Sequence, residues 1–240
     1  MKILITGGSS GLGKAIVNNL SLNKDYKIYY TYNSNKSNEL SLEKSNSNTK
    51  AYFCDFTNED SVNELCNKLS KLDIDVLINN AYVGKALNNS FIKTKAIDYQ
   101  ESFLYNILPT IKITQEAIKI FKIKKFGKII NILSSYILNA PPLGTSIYVA
   151  NKAYLLELSK VWSKELNKFN ITSNSISPDL MITNLTNDID ERIIEQITKA
   201  HPYNKLLDTT EVADVVEFLI KSSQQINGVN IPINAGQEIL

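Results

Sequence analysis

The fold of this chain is decided close to its start, where an apolar run passes into a glycine-rich turn: Lys2-Ile3-Leu4-Ile5-Thr6-Gly7-Gly8-Ser9-Ser10-Gly11-Leu12-Gly13. The run Lys2–Ile5 predicts a short buried strand, and a helical pattern follows over 12–20. Gly7 can adopt backbone angles closed to other residues, while Gly11 and Gly13 have no side chain to keep a ligand away. The helix offers its free N–H groups and positive dipole end to the turn. The stretch therefore predicts a phosphate-binding strand, turn and helix.

The rest of the chain alternates strand-like and helix-like segments. Strands are predicted at Lys2–Ile5, Lys27–Tyr32, Lys50–Cys54, Val76–Asn79, Lys128–Leu133, Thr172–Ser177 and Val229–Ile233. Helices are predicted near 12–20, 58–70, 98–121, 147–168, 190–198 and 210–221, the third with a kink at Pro109. The polar segment 33–50 reads as a short frayed helix plus loop. The pattern predicts an α/β fold in three layers, a doubly wound, seven-stranded parallel sheet with helices on both faces.

Composition narrows the function. The 240 residues and 43% hydrophobic content suit one α/β domain with a sizeable core. The net charge of +2 implies no strong electrostatic partner, and Arg192 is the only arginine, which argues against nucleic-acid binding. Cys54, Cys66 and His201 cannot form a metal cluster or a histidine-based triad, so no metal is expected. The strand that begins at residue 3 leaves no room for a signal peptide, and no apolar run would span a bilayer; we expect a cytoplasmic protein.

Polar side chains follow three of the predicted strands or helices in a fixed order. Asn79-Asn80-Ala81 ends a buried strand, Ser134-Ser135 ends the next one, and Tyr148 and Lys152 share one helical face at i and i+4. A Tyr-x-x-x-Lys pair alone is weak, since Tyr32 and Lys36 form a second copy. The order of all four motifs, beginning with the glycine turn, makes coincidence improbable.

On these motifs the chain resembles the short-chain dehydrogenase/reductase family over essentially its whole length. The resemblance implies a single NAD(P)-binding Rossmann domain over 1–240, with a substrate lid near 180–205. It implies four catalytic residues: Asn106, Ser134, Tyr148 and Lys152. It implies cofactor contacts from Gly7, Ser9, Ser10, Gly11, Leu12, Gly13, Asn33, Asp55, Phe56, Asn80, Ala81, Tyr148, Lys152, Pro178, Met181 and Thr183. It also implies a homotetramer or homodimer built on the helices 98–121 and 147–168.

These residue types suit carbonyl reduction. Hydride transfer to a carbonyl builds negative charge on its oxygen, to which the hydroxyls of Ser134 and Tyr148 can donate, with Tyr148 delivering the proton. The ammonium of Lys152 is expected to favour the phenolate and so to lower the pKa of Tyr148. By resemblance, Lys152 also holds the nicotinamide ribose, and Asn106 supports a proton-relaying water.

Three points depart from the family pattern or stay open. Counting along the strand from Gly127 selects Ser134 as the catalytic serine, which we favour, whereas the family's usual spacing back from Tyr148 selects Ser135. Tyr82 and Asp179 stand where the family usually has glycine, and both are expected to reshape substrate access.

The cofactor preference rests on the end of the second strand. Members that prefer NAD carry an acidic residue there for the ribose 2′-hydroxyl. This chain has Tyr32 and Asn33 instead, followed by Ser34 and Lys36, which could pair with a 2′-phosphate or simply be solvated. NADP(H) is therefore favoured over NAD(H).

The resemblance favours an NADPH-dependent reductase of ketone or 3-oxo groups, similar to 3-oxoacyl-[acyl-carrier-protein] reductases. A reductase or dehydrogenase of a sugar or polysaccharide pathway is the alternative within the enzyme class, and a non-catalytic NADP-binding sensor or scaffold is the alternative outside it. The expected partner is a small carbonyl or alcohol substrate. An acyl carrier protein is a further candidate. A lysine group could receive it or could simply form a solvated helix end: Lys122, Lys124, Lys125 and Lys128.

Overall fold

The computed structural model describes residues 1–33, 47–87, 89–186 and 189–237. The strands are β1 (Lys2–Ile5), β2 (Lys27–Tyr32), β3 (Thr49–Phe53), β4 (Val76–Asn79), β5 (Gly127–Ile132), β6 (Ile171–Pro178) and β7 (Asn230–Ile233). The α-helices within these ranges are α1 (Gly11–Ser21), α2 (Glu59–Leu72), α3 (Ala96–Lys124), α4 (Ser146–Leu166), α5 (Glu191–Ala200) and α6 (Thr209–Lys221). Most of the polar segment predicted as a frayed helix and loop falls in 34–46, outside the described residues.

The seven strands form one sheet in the order β3-β2-β1-β4-β5-β6-β7, and every neighbouring pair is parallel. The first three strands extend the sheet to one side of β1, whereas β4 and the later strands extend it to the other side, so the topological switch point lies between β1 and β4. In open α/β sheets ligands bind in the crevice beyond the carboxyl ends of the strands at such a point. The predicted doubly wound sheet is confirmed, and it brings the ends of β1, β4, β5 and β6 to one edge.

The two faces of the sheet bury alternate side chains of each strand, because successive side chains of a strand point to opposite faces. Ile3 and Ile5 pack with α1 and α6, whereas Leu4 packs with α2 and α3. Both clusters contain fully buried residues of the central strands. This alternation produces the predicted three layers.

The helix ends differ in how their free N–H groups are satisfied. Asn58 caps α2 through Ser61 N, and Asp208 forms a capping box with Glu211 at α6. The first turn of α1 has neither a side-chain cap nor an acidic residue. Its N–H groups are thus free for an anionic ligand. In the described part of the chain, no helix is both long and apolar enough to cross a bilayer.

Candidate active site

The turn between β1 and α1 has little room for a side chain at Gly7 and Gly11. Gly7 and Gly11 adopt φ of +67° and +50°, a region that favours glycine. A Cβ on Gly7 would lie 2.9 Å from the Cα of Ala81, and a Cβ on Gly11 would lie 3.2 Å from the Cβ of Thr183. At these two glycines backbone alone therefore forms the surface of the turn, with Thr183 close to Gly11.

Asn80 and Thr6 fix the turn to the end of β4. The Nδ2 of Asn80 donates to the carbonyl oxygens of Thr6 and Gly7 at 2.9 and 3.0 Å. In return, the hydroxyl of Thr6 accepts from the backbone N–H groups of Asn80 and Ala81. The N–H of Gly7 donates to Thr31 Oγ1 at 2.8 Å. These bonds hold the glycine turn against its neighbouring strands β2 and β4.

A cleft of about 470 Å³ opens at the carboxyl edge of the sheet. It brings together most residues that the sequence singled out: Gly7, Ser9, Ser10, Gly11, Leu12, Gly13, Asn33, Phe56, Asn80, Ala81, Ser134, Tyr148, Lys152, Pro178, Met181 and Thr183. Asp55, Asn106 and Ser135 do not line it. Lys36 lies outside the described residues.

Tyr148 is buried beside Ser134 at the inner end of the cleft. Burial raises the pKa of the Tyr148 phenol, which the hydrogen bond with the Ser134 side chain opposes and the neighbouring Tyr82 and Tyr136 reinforce. The expectation that the pKa of Tyr148 is lowered is wrong as to the net direction, because desolvation of the phenolate outweighs every effect that favours the charged form. Tyr148 consequently keeps its proton at neutral pH.

Lys152 is buried one helical turn further along α4. Its Nζ donates to the carbonyl oxygen of Ile132 at 2.8 Å and lies 5.6 Å from the centre of the Tyr148 ring. Burial lowers the pKa of Lys152 to about 8. The end of β5 thus sets the position of the ammonium.

The two adjacent serines after β5 point to different partners. Ser134 faces the cleft and Tyr148. The hydroxyl of Ser135 instead donates to Asp179 Oδ1 at 3.2 Å. The geometry therefore gives the two candidates distinct surroundings, with Ser134 alone of the pair next to the phenol.

Asn106 and Asp55 do not line the cleft, and their side chains bind neighbouring backbone or side-chain groups instead. Asn106 accepts from the N–H of Val83 at 2.7 Å and donates to its carbonyl at 3.1 Å, so it fixes the backbone of a residue that lines the cleft. Asp55 accepts from the N–H and hydroxyl of Thr57 at 2.9 and 2.8 Å. This is the local turn that an Asp-x-Thr sequence favours.

Tyr82 and Tyr136 are two of the cleft residues that lie outside the predicted catalytic and cofactor-binding set. Tyr136 lines the cleft. The ring of Tyr82 stands edge-on to the ring of Tyr148, with 5.0 Å between the ring centres. The Nζ of Lys152 lies 5.3 Å from the centre of the Tyr82 ring. Side-chain hydrogen bonds join Tyr82 to Ser102 and Asn151. The replacement of glycine signalled that Tyr82 matters, but its long-range partners were not readable from the sequence.

Of the lysine group 122–128, Lys122 and Lys125 are exposed. Lys128 is buried, and Lys124 pairs with Asp73 and Asp75. The group lies at the amino end of β5, so the length of that strand, about 20 Å, separates it from the cleft. Among the described residues, His, Cys, Asp and Glu side chains nowhere gather in threes that could hold a metal ion.

Comparison with known proteins identifies the family. A family model described as enoyl-(acyl carrier protein) reductase matches residues 7–238. The 3-oxoacyl-[acyl-carrier-protein] reductase FabG of Rickettsia bellii is 30% identical over 97% of this chain and 95% of its own. Carbonyl reductase family member 4 of Xenopus laevis is 28% identical over 98% of this chain and 97% of its own. The solved structure of ElxO with NADP bound is 30% identical, with a TM-score of 0.86 over 98% and 97%. This chain belongs to the short-chain dehydrogenase/reductase family of NAD(P)-dependent oxidoreductases.

Proposed function

We propose that the protein uses NADPH to reduce a ketone or 3-oxo group to a secondary alcohol. The observation that carries this proposal is the cleft itself, in which Ser134, Tyr148 and Lys152 share one cavity with a glycine turn built for phosphate. A proton donor for the carbonyl oxygen and a site for a dinucleotide are the two things that such a reduction needs.

Tyr148 acts as the general acid. Its buried phenol holds a proton at neutral pH, and the reduction consumes that proton at the carbonyl oxygen. Ser134, and not Ser135, donates the second hydrogen bond to that oxygen as negative charge develops on it. Lys152 stabilises the phenolate left behind and lets Tyr148 be reprotonated, for which a pKa of about 8 is well suited. Asn106 is a positioning residue that acts through Val83.

The residues of the cleft fit NADP(H). The diphosphate would lie on the bare backbone of Gly7, Gly11 and Gly13 at the free N-terminus of α1. Asn33 lines the cleft at the end of β2, where neither it nor Tyr32 brings a negative charge against a 2′-phosphate. The other proposed contacts are Ser9, Ser10, Leu12, Asp55, Phe56, Asn80, Ala81, Tyr148, Lys152, Pro178, Met181 and Thr183. When bound, NADPH supplies the hydride. ElxO, with its bound NADP, supports this choice.

The substrate proposed first is a 3-oxoacyl thioester, by analogy with the FabG relatives. Carriage of that thioester by an acyl carrier protein is part of the same analogy. Segment 180–205 is the proposed substrate lid, since Leu180, Leu185 and Ile189 line the cleft. A ketone of a sugar pathway and a non-catalytic NADP-binding role are the alternatives that the assay below separates.

A second copy of the chain is the proposed partner of α3 and α4. These helices expose apolar side chains along their length: Ile97, Leu104, Leu108, Tyr154 and Val161. Burying such a stripe against a second copy would remove apolar area from water, as homo-oligomers do. Light scattering should return a dimer or tetramer; a monomer would contradict this part of the proposal.

The deciding assay follows NADPH consumption with a short β-ketoacyl thioester, for the wild type and for Tyr148→Phe. We expect turnover in the wild type and a fall of about 10²- to 10⁴-fold in the variant, because the general acid is lost. NADPH binding by fluorescence without turnover would exclude this thioester class. Turnover of sugar ketones in the same assay would then favour the sugar pathway, and no turnover at all the sensor or scaffold.

A further inference from the structure

Two side chains of the cleft carry a full charge in the part of the chain that the structure describes, and the proposed reaction uses one of them. Lys152 belongs to the acid–base pair with Tyr148. Asp179, the first residue after β6, is the other. Neither hydride delivery nor protonation of the carbonyl oxygen requires a carboxylate at that place. The proposed reaction therefore does not explain why the carboxylate of Asp179 lies in the cleft.

Asp179 is held rigidly from three directions. Its Oδ1 accepts from the Ser135 hydroxyl at 3.2 Å, and its Oδ2 accepts from Gln237 Nε2 at 2.6 Å. Its backbone N–H donates to the carbonyl oxygen of Ile233 at 3.0 Å. A carboxylate has room for about four hydrogen bonds, so both oxygens keep accepting capacity, and Asp179 lines the cleft.

Tyr136 connects this carboxylate to the reacting end of the cleft. Burial raises the pKa of Tyr136, and the charge of Asp179 raises it further. Tyr136 in turn contributes to the raised pKa of Tyr148. Tyr136 is therefore close enough to feel one group and to act on the other. The carboxylate lies on the side of the cleft where the substrate, rather than the adenine end of a dinucleotide, would be bound.

We propose that Asp179 is a specificity-determining residue that binds a hydrogen-bond donor of the substrate, an ammonium or a hydroxyl, close to the ketone. This inference rests on the proposed reductase function but not on the thioester substrate, which has no such donor beside its ketone, and it gives the function a substrate class. A carboxylate accepts strongly from such donors, whereas a negatively charged substrate group at the same place would face a like charge with little water to screen it. A glycine at this position would offer neither effect.

The test uses four short ketones of equal length that carry an ammonium, a hydroxyl, a methyl or a carboxylate group at the same position close to the ketone. The wild type should show a kcat/KM about 10- to 100-fold higher for the ammonium ketone than for the carboxylate ketone. Asp179→Asn should bring this ratio close to one. Asp214→Asn, which removes an equal charge on α6 outside the cleft lining, should leave the ratio as it is. The hydroxyl ketone ranks the two donor classes against each other.

Asp179 could also act only as a tether between β5, β6 and the chain's end. In that case Asp179→Asn and Gln237→Ala would lower kcat/KM for all four ketones by the same factor, and the unchanged ratio would overturn the inference.

A binding readout separates this failure from failure of the reductase proposal. The ammonium ketone should raise the melting temperature of the NADPH-bound wild type more than the methyl ketone does, and Asp179→Asn should abolish the difference whether or not turnover occurs. If the difference between the ammonium and the methyl ketone were the same in the wild type and in Asp179→Asn, the proposed role of Asp179 would be refuted. Absence of turnover together with the expected shifts would refute only the reductase.

Discussion

A buried lysine lies at each end of β5, and the two lysines have similar surroundings in some respects but different roles. Lys128 lies at the amino end of the strand, and Lys152 reaches its carboxyl end; both are 4% exposed. Each ammonium donates to backbone carbonyl oxygens: that of Lys128 to Leu219 and Ser222, that of Lys152 to Ile132. Burial lowers the pKa of both.

The difference lies in what surrounds each ammonium. Around Lys128 the acceptors are the last carbonyls of α6, where a positive charge also meets the negative end of the helix dipole. Around Lys152 stand the rings of Tyr82 and Tyr148 and an open cleft. A buried lysine with a shifted pKa is therefore no sign of function by itself. The neighbouring acid and the access of a ligand make the distinction.

Replacing Lys152 should have the largest effect on activity. Lys152→Met keeps the length of the side chain but removes the charge that stabilises the Tyr148 phenolate. We expect kcat/KM for NADPH-dependent reduction to fall by about 10²- to 10⁴-fold, with a cooperative thermal transition retained. Steady-state kinetics and melting curves check both halves. Activity within threefold of the wild type would remove Lys152 from the mechanism.

Lys128→Met should show the opposite pattern. The carbonyls of Leu219 and Ser222 lose their charged donor, so we expect the free energy of unfolding to fall by about 1–3 kcal/mol. The kcat/KM at a temperature well below the transition should stay within about twofold, since the cleft lies at the other end of β5. Urea denaturation and the same assay measure the two quantities. A loss of activity without a loss of stability would overturn the contrast.

Whether a feature could be predicted from the sequence depends on whether it is local or needs a partner from a distant segment. Backbone-based features depend on local chemistry and were predicted well: all seven predicted strands are present, three with the predicted bounds and four with ends that differ by one residue. Features that need partners from distant segments were not. The lysine group 122–128 reads as one basic stretch, yet Lys124 and Lys128 are taken up by Asp75 and by the end of α6.

Tyr82 and Asp179 illustrate the limit inside the site. Both were recognisable as departures from a family pattern. Their partners lie 20 to 69 positions along the chain for Tyr82, at Ser102 and Asn151, and 44 to 58 positions away for Asp179, at Ser135 and Gln237. No periodicity in the sequence reports such contacts, because they arise only when the sheet brings strand ends together.

Substitutions of Tyr82 should have a smaller effect on activity, and they test how the rings around Lys152 contribute to the site. Tyr82→Phe loses the hydrogen bonds to Ser102 and Asn151 but keeps the ring beside Tyr148. We expect kcat/KM to fall about three- to tenfold. Tyr82→Gly should fall further and should also move the basic limb of the kcat profile to lower pH, because water and the loss of a neighbouring phenol reduce the raised pKa of Tyr148.

The matched control for Tyr82 is Tyr52→Phe, on the edge strand β3 and outside the cleft lining. It should change neither kcat/KM nor the pH profile. If Tyr82→Gly lowers kcat without shifting the profile, Tyr82 supports the local fold rather than the acid–base pair.

The smallest effect is the pH dependence of stability. The pKa of Lys152 is about 8 in the folded chain against an ordinary 10.5, so between these values the unfolded chain binds more protons at this residue. The free energy of unfolding contributed by Lys152 must therefore rise with pH across this window, because the burial penalty is at its full value below pH 8 and disappears as the folded lysine deprotonates. Tyr148, whose pKa is raised above 10.0, acts in the opposite direction only above pH 10.

Urea denaturation at pH 7.5, 8.5 and 9.5 isolates this contribution when the wild type is compared with Lys152→Met. The wild type should gain stability relative to the variant at each step, since the variant has no proton to lose at this place. Lys128→Met should also lose part of the wild-type slope, because the pKa of Lys128 is lowered by burial as well. Parallel curves for the wild type and both variants would mean that neither lysine is held in a proton-poor environment, and the contrast between the two ends of β5 would then rest on contacts alone.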